Sequence, residues 1–190
     1  MNKPWPMSSH QDNFSDVAKE QGRFTTDSRL ALTLSAVTAF GEVAQCVHDY
    51  MPDMGKLSAQ IGAFIGSLLV LTEHRGMADI RYILGNAYFA PNEPMDCSFS
   101  VYQASFFGST EGRRLDNLHD TIDLIVLAST HLGQLTKAVC AEDDNLMFRS
   151  IAVLTHIMMV IASKHEISMD EAMERGLLCM KEAAETVLKQ

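Results

Sequence analysis

The sequence predicts an all-α protein, a helical bundle built in part from a tandem pseudo-repeat of helix-turn-helix units. Apolar residues recur at spacings of three and four, and convincing period-two alternation is missing. The apolar runs are bounded by capping residues, Asp, Asn or Ser before them and Gly after them. Two pairs of segments also echo each other. "GEVAQCV" (Gly41–Val47) aligns with "GQLTKAV" (Gly133–Val139) at an offset of 92, and "FIGSLLVLTEHRGMAD" (Phe64–Asp79) aligns with "THIMMVIASKHEISMD" (Thr155–Asp170) at an offset of 91.

Residues 1–26 are polar, carry Pro4 and Pro6 early and show little periodicity, which predicts a flexible N-terminal arm. Residues 27–190 then form a single all-helical domain, with pseudo-repeats at 28–84 and 116–188. Asp27 or Ser28 caps a first helix that runs to about Met51, where Pro52 stops it. In that helix Leu30, Leu34, Val37, Gly41, Ala44 and Val47 form one apolar stripe. Leu32, Ala36, Ala39, Val43 and Cys46 form another, so the helix is expected to be buried on two sides. A second helix covers Lys56 to His74 with Gly76 as its left-handed cap, and a short one follows from Asp79 to Leu84.

Residues 85–115 are an aromatic-rich connection, in which a helix around Ser98–Phe107 would bury Phe99, Tyr102, Phe106 and Phe107. The next helix starts at Asp116 or Asn117 and reaches His131, with Gly133 ending or kinking it. "AEDDN" breaks the chain, and Asp144 or Asn145 caps a helix to His165. Ser168 and Glu171 then make a capping box for the last helix. His74, His131 and His165 each end an apolar helix, where the dipole favours a positive ring, and Glu166 takes the place that a capping glycine holds elsewhere. His156 falls on an apolar face and is expected to be a core histidine with one hydrogen bond.

Composition narrows the function. Asp and Glu outnumber Lys and Arg by 24 to 15, and a net charge of −9 argues against nucleic acid as a partner. The four cysteines form no CxxC pair, which fits reduced thiols in a cytoplasmic protein. No secretory signal is visible, and the runs Ile61–Leu71 and Ile151–Ala162 are too short to span a membrane. The twelve methionines point to core or oligomer packing, and a homo-oligomer is expected. No motif for nucleophilic catalysis or for a phosphate-binding loop is present.

Carboxylates give the sharpest chemical candidate. Asp116, Asp120 and Asp123 fall at i, i+4 and i+7 on one predicted helix face, where three like charges repel unless a hard cation such as Mg²⁺ or Mn²⁺ neutralises them. Dipole stabilisation in a first helical turn is the competing account of Asp116 and Asp120. Glu42 lies on the narrow polar strip of the first helix, facing a thin exposed edge or an internal groove. His48-Asp49 and His119-Asp120 are HD dipeptides, the basis of an alternative reading as an HD-type metal phosphohydrolase.

With the helices placed, the pattern resembles the MazG-like all-α nucleoside triphosphate pyrophosphohydrolases. "FGEVAQCV" is similar to that family's Gly-Glu-Leu/Val-Ala segment. "NLHDTIDLIVLASTHLGQLTKAV" and "IAVLTHIMMVIASKHEISMDEAM" are similar to its second, acidic-then-apolar helix, and "QIGAFIGSLLVLTEHRGMADIRYI" matches more loosely. The resemblance implies a divalent-metal site of the form ExxE and ExxD that binds a nucleotide and cleaves its α–β phosphate linkage. The motif is degenerate here. Glu42 matches the second Glu of ExxE while Ala39 stands at the first, and Asp120 matches the final Asp while Asn117 replaces the Glu. Gln60–Ala63 and Ser150–Val153 carry no carboxylate. The expected site is therefore Glu42, Asp120, Asp123 and at the margin Asp116. If the chain is an enzyme, it is a weak metal-dependent nucleotide pyrophosphohydrolase. The alternative is a non-enzymatic helical oligomerisation or partner-binding protein.

Overall fold

The computed structural model describes residues 5–22, 29–49, 53–74, 79–88, 97–118 and 120–188. Among these residues there are nine helices and no strand, so the chain is an all-α helical bundle. The predicted cap at Asp27 or Ser28, the stop at Pro52, the cap at Gly76 and the side chain of His119 lie outside the described residues.

Residues 7–20 are not the arm that the sequence predicts. They form helix α1 (Met7–Glu20), in which Met7, Gln11, Phe14 and Ala18 share one buried face at helical spacing. Gln11 holds α1 in place: its Oε1 accepts from the Ile80 amide at 2.9 Å, and its Nε2 donates to Thr72 Oγ1 at 3.2 Å. A buried amide side chain that satisfies a helix-start N–H is a polar anchor, and hydropathy alone cannot distinguish it from a solvated glutamine.

The long helices follow. Helix α2 (Arg29–His48) lies against α3 (Met54–Glu73), which is capped by Asp53 through the Lys56 amide. Helix α4 (Ile80–Tyr88) comes next. Within the aromatic-rich connection, α5 (Phe99–Gly108) is capped by Ser98 and buries Phe99, Tyr102 and Phe106, with Phe107 partly covered. Helix α6 (Thr110–Leu118) ends before α7 (Thr121–Cys140) begins. Helix α8 (Asp144–Lys164) is capped by Asp143, and α9 (Met169–Leu188) closes the bundle. The expected capping box does not form as drawn. Ser168 Oγ pairs with Ser100 Oγ at 3.0 Å, and Glu171 accepts from Arg175 one turn later.

Helices α3 and α8 are the centre of the core, with Phe64, Leu68 and Leu71 on the first and Ile151, Ile157 and Ile161 on the second fully buried. Their packing is reciprocal. Helix α2 packs on α3 as α7 packs on α8, α9 packs most extensively on α3, and α4 packs on α8. Helices α2 and α7 bury residues 92 positions apart: Leu32 with Leu124, Ala36 with Ala128 and Val43 with Leu135. The caps Pro6 of α1 and Ser98 of α5 are also 92 apart, as are the buried pairs Gln11 and Gln103, and Phe14 and Phe106.

By length and composition, α2, α3 and α8 could each cross a membrane, because the helices extend past the apolar runs that look too short in the sequence. In α3 and α8 the core accounts for that apolarity, with 67% and 72% of the qualifying stretch buried; in α2 only 33% is buried.

Two helix ends are closed by glutamates. After α7, Glu142 has φ 55°, and the amides of Glu142 and Asp143 reach the carbonyls of Val139 and Ala138. After α8, Glu166 has φ 56°, and the amides of Glu166 and Ile167 reach Ser163 and Ala162. Both are Schellman closures that favour glycine at the left-handed position. Glu142→Gly and Glu166→Gly are each expected to stabilise the fold by about 1 kcal/mol. The readout is a higher urea midpoint at unchanged slope; an unmoved midpoint would mean that each glutamate side chain compensates its own backbone cost.

Candidate functional site

The predicted carboxylate face does not exist as one helix face. The chain breaks between α6 and α7, so Asp116 belongs to the last turn of α6 while Asp120 and Asp123 belong to the start of α7. Asp120 is the N-cap of α7: its Oδ1 accepts from the Asp123 amide at 2.8 Å. Asp123 sits in the first turn, where the helix dipole favours a negative charge. Asp116 pairs with Lys164 of α8 at 3.2 Å, and the same ammonium donates to the Asp116 carbonyl at 2.7 Å. Glu42 stands exposed on α2, the first of the two positions the sequence leaves open to it. Among the described residues no group of three His, Cys, Asp or Glu side chains is placed to hold a metal ion. The donor set therefore does not fit Mg²⁺ or Mn²⁺: Asp120 Oδ1 serves a cap, Asp116 Oδ1 an ion pair, and Glu42 stands on another helix, so these carboxylates are not gathered into one group. Asp120→Ala should behave as the loss of an N-cap, costing about 1 kcal/mol in urea denaturation. The thermal response to Mg²⁺ or Mn²⁺ should be the same as that of the parent chain; a metal-dependent stabilisation abolished by this change would reverse the assignment.

The histidines divide. His74 and His165 are the C-caps of α3 and α8, as the sequence predicts, but the positive ring expected at such an end is not favoured at His165, where burial pushes the pKa down. His131 is not at a helix end. Helix α7 runs unbroken through Gly133 to Cys140, and His131 is a half-buried residue in its middle, close to Gln134. Burial pushes its pKa down, the Gln134 side chain opposes this and the charge of Arg149 adds to it. His48 and Asp49, one of the two HD pairs, are exposed at the end of α2. His156 is fully buried, with Nε2 3.0 Å from Tyr102 Oη and its ring 4.3 Å from that of Phe106. None of the four cysteines is in a disulfide, and burial raises the pKa of Cys46 and Cys179, which leaves both less nucleophilic than an ordinary cysteine.

The feature that stands out is apolar surface on two adjoining helices. Leu32, Ala36, Val43 and Cys46 of α2 face inward, yet the other stripe of the same helix is open, with Leu30 43%, Leu34 55% and Val37 37% exposed. The expectation that α2 is buried on two sides therefore holds for one side only. Helix α7 repeats the arrangement. Leu124, Ala128, Leu135 and Ala138 are buried, while Ile122 and Val126 are 63% and 62% exposed. Other exposed large apolar side chains are scattered, with Trp5 ahead of α1 and Tyr82, Val101 and Leu178 on three different helices. The α7 half of this surface escapes a search for chemical motifs, but its signal is in the spacing. Ile122, Val126, Ser129 and Gly133 follow one another at steps of four, three and four, as do Leu30, Leu34, Val37 and Gly41. Comparisons with protein-family models, with curated protein sequences and with solved structures return no match.

Proposed function

We propose that this chain works as a helical association module whose α2 and α7 faces bind another helical surface. One observation carries the reading: the open stripe Leu30, Leu34, Ile122 and Val126 lies on two helices that pack against each other. Isolated exposed leucines are ordinary, but apolar side chains recurring at seam spacing on adjoining helices are the mark of an interaction surface. Of the carboxylates that would support nucleotide chemistry through a metal, Asp120 caps a helix and Asp116 is ion-paired, and Glu42 is exposed on a different helix, which favours association over hydrolysis.

Binding and turnover assays on the purified chain test this. Leu34→Glu and Val126→Glu should weaken association while leaving the circular dichroism spectrum and the melting temperature close to those of the parent, because both side chains are exposed. Pyrophosphate release from nucleoside triphosphates with Mg²⁺ or Mn²⁺, abolished by Asp120→Ala, would overturn the proposal in favour of the MazG-like enzyme.

A further inference from the structure

We infer that the occupant of the α2 and α7 faces is a second copy of this chain, docked so that these two helices and their counterparts form an intermolecular four-helix bundle. The inference rests on the association reading and names its partner.

The first argument is the spacing. Leu30, Leu34, Val37 and Gly41 fall within about 60° of one another on α2 at 100° per residue, a seam rather than a broad amphipathic face. Helix α7 carries the same seam 92 residues later, with Ile122, Val126 and Gly133 at the corresponding steps. A helix pair with matched seams on both members presents one repeated apolar surface, and a two-fold interface would set that same patch of one copy against the other.

The second argument is the glycines. Gly41 and Gly133 sit inside long helices, where glycine is disfavoured by about 1 kcal/mol relative to alanine. Among the described residues nothing asks for them: a Cβ added at either would meet no atom within 4 Å, as is also true of Gly85 and Gly108 on other helices. Gly62, Gly66 and Gly176, by contrast, are each required by a neighbour less than 2.5 Å from such a Cβ. Gly41 and Gly133 differ from Gly85 and Gly108 in lying in line with the open seams, where a backbone arriving from outside would use the space.

The third argument is area and charge. Applying the exposed fractions to ordinary side-chain areas, Leu30, Leu34, Val37, Ile122 and Val126 offer roughly 450 Å² of apolar surface, over half of the about 800 Å² that a stable interface buries per partner. Their seam neighbours Ser129, Gly41 and Gly133 are uncharged, although the chain as a whole carries −9. Two copies can thus meet here without bringing like charges together at the seam. The surface is also continuous with an existing helix–helix contact, that between α2 and α7 themselves.

Light scattering on the purified full chain from about 1 to about 100 µM tests this. The expected mass is twice that of the chain at the upper end. Leu34→Glu and Val126→Glu should each raise the dissociation constant at least about tenfold, while Tyr82→Glu, an exposed apolar position elsewhere, should not. Gly41→Leu gives a second readout, because the chain has open space there: the monomer keeps its melting temperature and the dimer is lost. A chain that stays monomeric throughout, yet binds a different helical protein through Leu34 and Val126, would overturn the second copy and leave the association reading standing. A dimer indifferent to both glutamate variants would overturn both. Co-sedimentation with phosphatidylcholine vesicles, abolished by the same variants in a monomeric chain, would assign the face to a lipid surface and overturn the inference.

Discussion

Gly62→Ala and Gly176→Ala are each expected to destabilise the protein by about 3 kcal/mol or more, among the largest effects any single methyl group can have here. Helix α9 packs on α3 more extensively than any other pair of helices, and these glycines mark the closest approach. A Cβ at Gly62 would lie 1.8 Å from the Ala172 carbonyl oxygen and 2.5 Å from its carbon. A Cβ at Gly176 would lie 2.2 Å from the Gly62 carbonyl carbon and 2.3 Å from the Ala63 nitrogen. The obstacles are backbone atoms, so no rotamer change relieves them and one helix must move away from the other. That movement opens the contact along its length, against a total stability of about 5–15 kcal/mol. Gly66 differs in kind, since its Cβ would meet the Phe14 ring at 2.0 Å. Gly66→Ala should therefore be partly rescued by Phe14→Leu, while no side-chain truncation rescues Gly62→Ala. Urea unfolding of the single and double variants measures this, with the midpoints compared at constant slope. A loss below about 1 kcal/mol at Gly62 would mean that the α3–α9 crossing is looser than described.

The glycines also show where sequence reasoning stops. Gly41, Gly62, Gly133 and Gly176 all sit within helices, and nothing in their local sequence separates those that a neighbour requires from those facing open space. The long helices were legible because apolar spacing is a local signal, while their caps were legible only to within a residue: Asp143, not Asp144 or Asn145, caps α8. Helix α1 was not, because its buried face includes His10, Gln11 and Ser15, so the periodicity that defines it is not an apolar one. The segment echoes at offsets of 91 and 92 were legible from α2 onward, while Gln11 with Gln103 and Phe14 with Phe106, also 92 apart, lie in segments that read as an arm and a connection. The aspartates were misgrouped because helix α6 and helix α7 abut with almost no punctuation at His119 and Asp120. The open stripe of α2 was seen as apolar but assigned to the interior: a hydrophobic pattern reports that a face is to be covered, and says nothing of whether the cover comes from the same molecule.

Acid should weaken this fold well before its carboxylates titrate, and His156 is the main reason. Its ring is wholly buried between Phe106 and Tyr102, and Nε2 lies 3.0 Å from Tyr102 Oη, whose hydroxyl donates to the Leu84 carbonyl at 3.2 Å. The hydroxyl has one proton to give to the Leu84 carbonyl or to His156 Nε2, so which ring donates in the Tyr102–His156 bond follows from the imidazole tautomer. Burial pushes the His156 pKa down to about 3, and the Ala152 carbonyl, a ready acceptor for a charged ring, offsets only part of that. The unfolded chain takes up this proton near pH 6.5 and the folded chain does not, so stability is full above that pH and falls as pH drops through the window from 6.5 towards 3. One such group removes up to about 1.4 kcal/mol per pH unit, or about 2 kcal/mol between pH 6.5 and 5. His10 adds to this in the same direction. It is fully buried near Trp5 and Phe99, and desolvation lowers its pKa against the opposing charge of Asp170. Burial lowers His131 and His165 likewise. The parent chain should thus lose stability with a slope steeper than a single proton. His156→Phe should cost about 1 kcal/mol at pH 7.5 through the lost hydrogen bond, and should equal or exceed the parent at pH 5, because the variant has no proton to gain there. Urea unfolding at half-unit steps across that range decides it: two curves that cross place the acid sensitivity at His156, and two that run parallel place it elsewhere.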